Sequence, residues 1–282
     1  MKLKRSSWLP LLPFFAFTGY FLLWPILGVT LKSFHNNDGH WSLSNYTPLI
    51  SGAYRHAFAT SIRLSIITSV ISSVLGAFFT LVIVKNAGSR LTSIIESIAA
   101  VFANSGGVPL AFMYIAAFGA EGMFTKILKF FGWNIYAGRF TLFSFTGVVL
   151  VYTFFMTPLM VIVFRPAILG LRKEWSEASL NLGANTLTYW RRVAIPILTP
   201  SFIGSFFLLF AGAFSAYATA RALTVGTVPL VPIIIGTLVD GNVISDQANL
   251  GDALAVGMIL VAGVAMVGYI WAQRSAAKWR QS

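Results

Sequence analysis

The chain has no cysteine in its 282 residues, which excludes structural disulfides and thiolate metal sites. Charge is scarce at 10% of residues, and acid is scarcest, with 8 Asp and Glu against 20 Lys and Arg. Set beside a hydrophobic share of 57%, that shortage lies outside the range of soluble domains. The formal net charge of +12 does not imply nucleic acid. The basic residues stand at the ends of apolar blocks, without the basic stripe and interleaved aromatics of a nucleic-acid footprint. His35, His40 and His56 show no helical His-Glu pattern, so no metal site is expected. There is no Gly-x4-Gly-Lys-Ser/Thr loop, nor any Gly-Lys dipeptide, to cradle a nucleotide phosphate. Internal repeats, low-complexity tracts and interdomain linkers are missing too, which leaves one domain over 1–282.

What is present is a series of apolar blocks long enough to cross a bilayer. They predict an all-α, polytopic membrane protein with six spans, at 8–31, 57–84, 94–118, 141–169, 200–220 and 252–271. The first follows a basic leader, Met1-Lys2-Leu3-Lys4-Arg5, but it is too long for a signal core and no small-residue cleavage site follows, so a retained span is expected. Lys and Arg set the orientation. With the N-terminus inside, the inner set is Lys2, Lys4, Arg5, Lys85, Arg90, Arg165, Arg172, Lys173, Arg191, Arg192, Arg274, Lys278 and Arg280. The outer set is smaller: Lys32, Arg55, Arg63, Lys126, Lys129, Arg139 and Arg221. Both termini are therefore expected in the cytoplasm. Residues 35–40 form an outer polar turn, and 85–90 a short inner turn around Gly88. In 121–139, Phe124, Ile127, Leu128 and Phe131 recur at helical spacing along the interface. Residues 228–235 are apolar but too short and proline-broken to span, which suits a dipping or surface helix.

The one substantial inner loop is 172–192. Glu174-Trp175-Ser176-Glu177-Ala178-Ser179-Leu180 reads as a short helix with its acids in the first turns, and Gly183 stands where a left-handed C-cap ends it. Thr186 or Thr188 can cap a second helix, and Pro196 sits near the start of the next apolar run. The product is a bent helix pair, small at Ala178 and Ser179 and apolar at Leu180 and Leu182, able to seat in a groove on another protein.

Within the spans, Asn104-Ser105-Gly106-Gly107-Val108-Pro109 interrupts the third near its middle. Hydrocarbon cannot satisfy the backbone groups released there, so the break must face protein or a water-filled cavity. It is either a substrate-facing hinge or a packing kink. Ser215 and Thr219, four apart on one face of the fifth span, either line a path or bond between helices. Glu96 is read as a snorkelled or dipole-paired charge, or as a coupling-proton site. Arg63, an expensive charge in hydrocarbon, is expected to pair with an acid or to bind an anionic ligand. Ala253 and Gly257 offer a small face for close packing.

The inner loop resembles the cytoplasmic signature of ABC importer permeases: Glu-Ala-Ala, three residues, Gly, nine residues, then Ile-x-Leu-Pro. Glu177, Ala178, Gly183 and Pro196 fall in register, with Ser179, Val193 and Ile195 as mild departures. The segments Ser105-Gly106-Gly107-Val108-Pro109, Tyr217-Ala218-Thr219-Ala220-Arg221-Ala222-Leu223 and Pro229-Leu230-Val231-Pro232 look most like the spermidine/putrescine-type group. The resemblance implies a binding-protein-dependent importer in the inner membrane. Its coupling helix would dock on cytoplasmic ATPase subunits, with Glu177 facing their groove and Gly183 setting the bend. ATP would be bound and hydrolysed by those partners, so the chain itself would be no enzyme and need no cofactor. The resemblance also implies a second permease, identical or not, and an external solute-binding protein delivering a small charged solute, polyamine or phosphonate. The competing reading is an ion-coupled secondary transporter, which needs a mid-depth carboxylate and repeated broken helices; Glu96 is too shallow for that, and one span is clearly broken.

Overall fold

Long runs of Leu, Ile, Val, Phe and Ala without acid can satisfy their backbone only within themselves when they enter hydrocarbon, which makes them helices. The computed structural model describes residues 11–36, 38–86, 90–138, 140–224, 226–239 and 248–281. The basic leader, residues 8–10 of the expected first span, Gly88, Arg139 and residues 240–247 of the long outer loop lie outside them. The helices are α1 (Leu12–Ser33), α2 (Gly52–Lys85), α3 (Arg90–Asn104), α4 (Val108–Phe118), α5 (Met123–Phe130), α6 (Phe145–Leu169), α7 (Lys173–Asn181), α8 (Thr186–Tyr189), α9 (Ile195–Ser215), α10 (Ala218–Thr224), α11 (Val231–Val239) and α12 (Ala248–Gln281). Among the described residues the sole β feature is a bridge between His35 and Trp41. The protein is all-α.

Among the described residues, six stretches are long and apolar enough to cross a membrane: Leu12–Ser33, Gly52–Lys85, Val108–Phe130, Phe145–Leu169, Thr186–Ser215 and Asn249–Ala277. Two differ from expectation. The window 94–118 is cut in two, so the third crossing-length stretch is Val108–Phe130, with Thr92–Asn104 a shorter apolar helix before it. The fifth starts earlier than residue 200 and stops at Ser215, because Ala216 turns extended (φ −70°, ψ 106°). The segments expected to lie along the interface and to dip are helical, as α5 and α11, and α5 falls within the crossing-length stretch Val108–Phe130.

Close contacts group the chain into two units, residues 1–57 with 234–260, and residues 58–233 with 261–282. In the first, the polar turn after α1 is built on side chains. Asn36 Oδ1 accepts from the His40 amide (2.8 Å), and Asn45 Nδ2 donates to the carbonyls of Ser33 (3.0 Å) and His35 (2.7 Å). His35 is occupied structurally, with its ring on Trp41 and Nδ1 at the Leu31 carbonyl.

The second unit is built around α6, whose Val148, Val151, Tyr152, Met156, Met160 and Phe164 are buried. Against it α2 turns a face of small hydroxyls, with Ser61, Ser65, Thr68, Ser69, Ser72, Ser73 and Thr80 all buried. Small residues let backbones approach where lipid offers no hydrophobic drive. The approach is closest at Gly76, where a Cβ would lie 2.5 Å from Met160 Cβ and 2.8 Å from the Thr157 carbonyl. Gly76→Val is therefore expected to cost about 1–3 kcal/mol through overpacking, read as a lower thermal midpoint of the purified chain in lipid nanodiscs. Gly268 plays a similar part in α12, where a Cβ would meet the Phe207 ring at 2.8 Å.

Candidate functional site

Two constructions stand out in the second unit, both joined to α6. The first is an elbow. Gly170 and Leu171 separate the last residue of α6 from Arg172, the N-cap of α7, whose guanidinium lies 5.6 Å from the Trp175 ring centroid. Glu174 falls in the first turn of α7, where the macrodipole favours an acid. The helix ends in a Schellman motif, with the Gly183 amide on Leu180 O (2.9 Å) and the Ala184 amide on Ser179 O (3.0 Å). The joint needs φ +82° at Gly183, which only glycine adopts cheaply. The second arm is capped by Asn185, not by Thr186 or Thr188. Asn185 Oδ1 accepts from both the Thr188 amide and its hydroxyl, each at 2.8 Å. Asparagine ranks with the best N-caps, so the sequence did carry that signal.

The second arm also runs straight into the membrane stretch. α8 passes through a π-turn, Trp190–Ala194, into α9, with Pro196 in the first turn of α9. Proline lacks an amide and crowds the carbonyl four residues back, and a π-turn is one local rearrangement that accommodates this. Glu177 is exposed on α7, while Ala178 and Ser179 line a cleft of about 620 Å³ with Trp175, Leu182, Arg192 and Ile197. Leu182 and Leu187 are 88% and 74% exposed, and Leu180 is exposed beside them. The elbow thus shows solvent three leucines and a carboxylate.

The second construction joins two interrupted helices. α3 stops at Asn104 and α4 restarts at Val108, with Gly107 at φ +96° and Pro109 in the opening turn. α9 stops at Ser215 and α10 restarts at Ala218. Ser215 and Thr219, expected on one helical face, are separated by the second break. Ser215 bonds back to the Ala211 carbonyl (2.8 Å), whereas buried Thr219 reaches the first break. The Gly107 amide donates to Thr219 Oγ1 (2.8 Å), and that hydroxyl donates to Gly107 O (3.2 Å). Tyr152 of α6, fully buried, donates its hydroxyl to the Ala216 carbonyl (2.9 Å). Ser61 Oγ of α2 accepts from the Val231 amide (3.0 Å) at the start of α11. Freed backbone groups are satisfied by protein, as the bilayer demands. Asn104 is exposed and Ser105 half-buried, each bonding back into α3, and Gly106 faces open space.

Glu96 is neither solitary nor a mere end-of-helix charge. Its Oε1 lies 2.9 Å from an Nη of Arg165, tying α3 to α6, a pairing between distant segments that no local spacing announces. Outside the spans, Tyr136 donates to the Phe118 carbonyl (2.6 Å) and so fastens the segment after α5 to the end of α4. Burial raises its pKa, partly opposed by a backbone bond with Leu142. The elbow and the breaks share α6, and Tyr152 lies about 25 Å from Leu169 along that helix at 1.5 Å per residue.

No family model matches the chain. It is 27% identical over 220 residues to the molybdenum transport system permease protein ModB of Mycobacterium tuberculosis, covering 75% of this chain and 76% of that one. A probable sulfate transport system permease of Anthoceros angustus is 24% identical, covering 83% and 76%. The spermidine/putrescine transport system permease PotB of Haemophilus influenzae is 23% identical, covering 92% and 91%. Among solved structures, a bacterial alginate ABC transporter chain aligns at a TM-score of 0.73 and 16% identity, covering 98% of this chain and 96% of that one. A chain of the MetNI methionine ABC transporter aligns at 0.59 and 14%, covering 81% and 98%. In sequence over most of its length, and in fold, the chain resembles the permease subunits of ABC importers.

Proposed function

We propose that the chain is the membrane permease of an ATP-driven importer, a single transmembrane domain over 1–282 with both termini in the cytoplasm. It pairs with a second permease, takes a small charged solute from an external binding protein, and leaves ATP hydrolysis to cytoplasmic ATPase subunits. Glu177, Ala178, Ser179, Leu180, Gly183 and Pro196 form the coupling elbow. Asn104, Ser105, Gly106, Gly107, Pro109, Ser215 and Thr219 form or flank a hinge along the solute's route. The observation that carries this reading is the elbow, a rigidly jointed, leucine-tipped projection continuous with two membrane helices. A docked ATPase can shift the permease only if it contacts the elbow differently in its two nucleotide states.

The test is isolation of the native complex followed by uptake in vesicles. An ATPase subunit is expected to co-purify, and uptake should stop on ATP depletion and survive an uncoupler. Uptake that survives ATP depletion and stops with the uncoupler would overturn the reading in favour of ion-coupled transport. The solutes named for the relatives include molybdenum, sulfate and spermidine/putrescine.

A further inference from the structure

Arg63 has no role in the elbow or the breaks. It sits eleven residues into the crossing-length helix α2 and is exposed. Its guanidinium lies 5.5 Å from the ring centroid of Phe145, the first residue of α6. Among the described residues no carboxylate pairs with it and no acceptor receives its N–H groups. The second unit's carboxylates are all engaged or placed elsewhere. Glu96 pairs with Arg165, Glu121 pairs with Lys126, and Glu174 and Glu177 belong to α7. The elbow follows the other end of α6, about 36 Å away along that helix at 1.5 Å per residue. A charge inside a span normally pairs, or marks the passage of a ligand.

We infer that Arg63, braced on Phe145, binds a phosphate- or sulfate-type oxyanion. An arginine held on an aromatic face keeps its planar fork of N–H donors for bidentate contact with such a group. The hydroxyls of Ser144 and Thr146, 2.8 Å apart, flank Phe145 and add polar groups at the same helix end. Two sources share this chemistry. One is the headgroup of an anionic lipid; the other is the transported solute, which would then be an oxyanion and not a polyamine. The inference rests on α2 being a membrane helix and not on the docking of an ATPase.

The test uses the purified full chain, without partners, in nanodiscs. In phosphatidylcholine, inorganic sulfate should raise the thermal midpoint of wild type. Arg63→Gln should weaken the apparent affinity at least about tenfold, the loss of one charge-assisted contact, with Arg63→Lys between. That outcome assigns the position to a solute. If sulfate does nothing but native mass spectrometry finds phosphatidylglycerol retained by wild type and lost in Arg63→Gln, the group is a lipid headgroup. If wild type and Arg63→Gln behave alike with both probes, the inference is overturned. Phe145→Leu, which keeps the charge and removes the brace, carries the same test should Arg63→Gln fail to fold. Because no arm measures uptake or ATPase capture, a failure here leaves the importer reading standing, and the reverse holds.

Discussion

Removal of residues 177–183 is expected to bring uptake to background while the chain still inserts in the membrane. The segment contributes no buried residue to either unit, so its loss removes little packing. It does remove the exposed Glu177 and Leu182 and the Gly183 joint that aims the two arms. Point changes separate these parts. Gly183→Ala keeps every contact group but asks alanine for φ +82°, at about 1–2 kcal/mol; it should lower transport without lowering expression. Glu177→Lys leaves the joint intact and reverses one charge. If that charge meets a donor on the ATPase, a charge-assisted bond worth about 1.5–3 kcal/mol is lost, a roughly tenfold to hundredfold weaker capture. Transport undiminished by the deletion, or an ATPase still pulled down in full, would remove the elbow from the mechanism.

Local chemistry made some of this legible from sequence and long-range chemistry hid the rest. Gly183 could be read because a Schellman joint is written in consecutive residues, and the first break because Gly106, Gly107 and Pro109 all oppose a continuous helix. The second break carries no such letter: Ser215, Ala216, Tyr217 and Ala218 are all compatible with helix. It is held open by Tyr152, 64 residues earlier, whose hydroxyl takes the Ala216 carbonyl. A helix-forming stretch ends there because a buried donor stands beside it, and no window of sequence contains both. Glu96 and Arg165 repeat the lesson, since each alone reads as an end-of-helix charge and only the α3–α6 contact makes them a pair. The six spans, by contrast, follow from composition and length, except that the third is cut in two and its crossing-length part begins at Val108; elsewhere only the ends shift.

Thr219→Val is expected to be the most damaging isosteric change in the second unit. Shape and volume are kept, so the effect isolates one hydroxyl. That hydroxyl serves both the amide and the carbonyl of Gly107 across 112 residues of sequence. Gly107 is itself fixed at φ +96°, so its amide cannot turn into an ordinary helical bond instead. The amide is left without a partner, while the carbonyl keeps the Ala111 amide (3.3 Å), so the loss is about 1–3 kcal/mol, large for a single mutation. Thr219→Ser restores both bonds and should recover most of the stability. Tyr152→Phe strands one carbonyl at the other break and should cost less, about 1–2 kcal/mol. Thermal unfolding in nanodiscs should place Thr219→Val lowest, Tyr152→Phe next and Thr219→Ser nearest wild type, with uptake falling in Thr219→Val beyond what its folded fraction explains if the breaks move as a clamped pair. Equal midpoints for Thr219→Val and wild type would mean that α4 and α10 are held by packing alone and that the breaks are free to separate during transport.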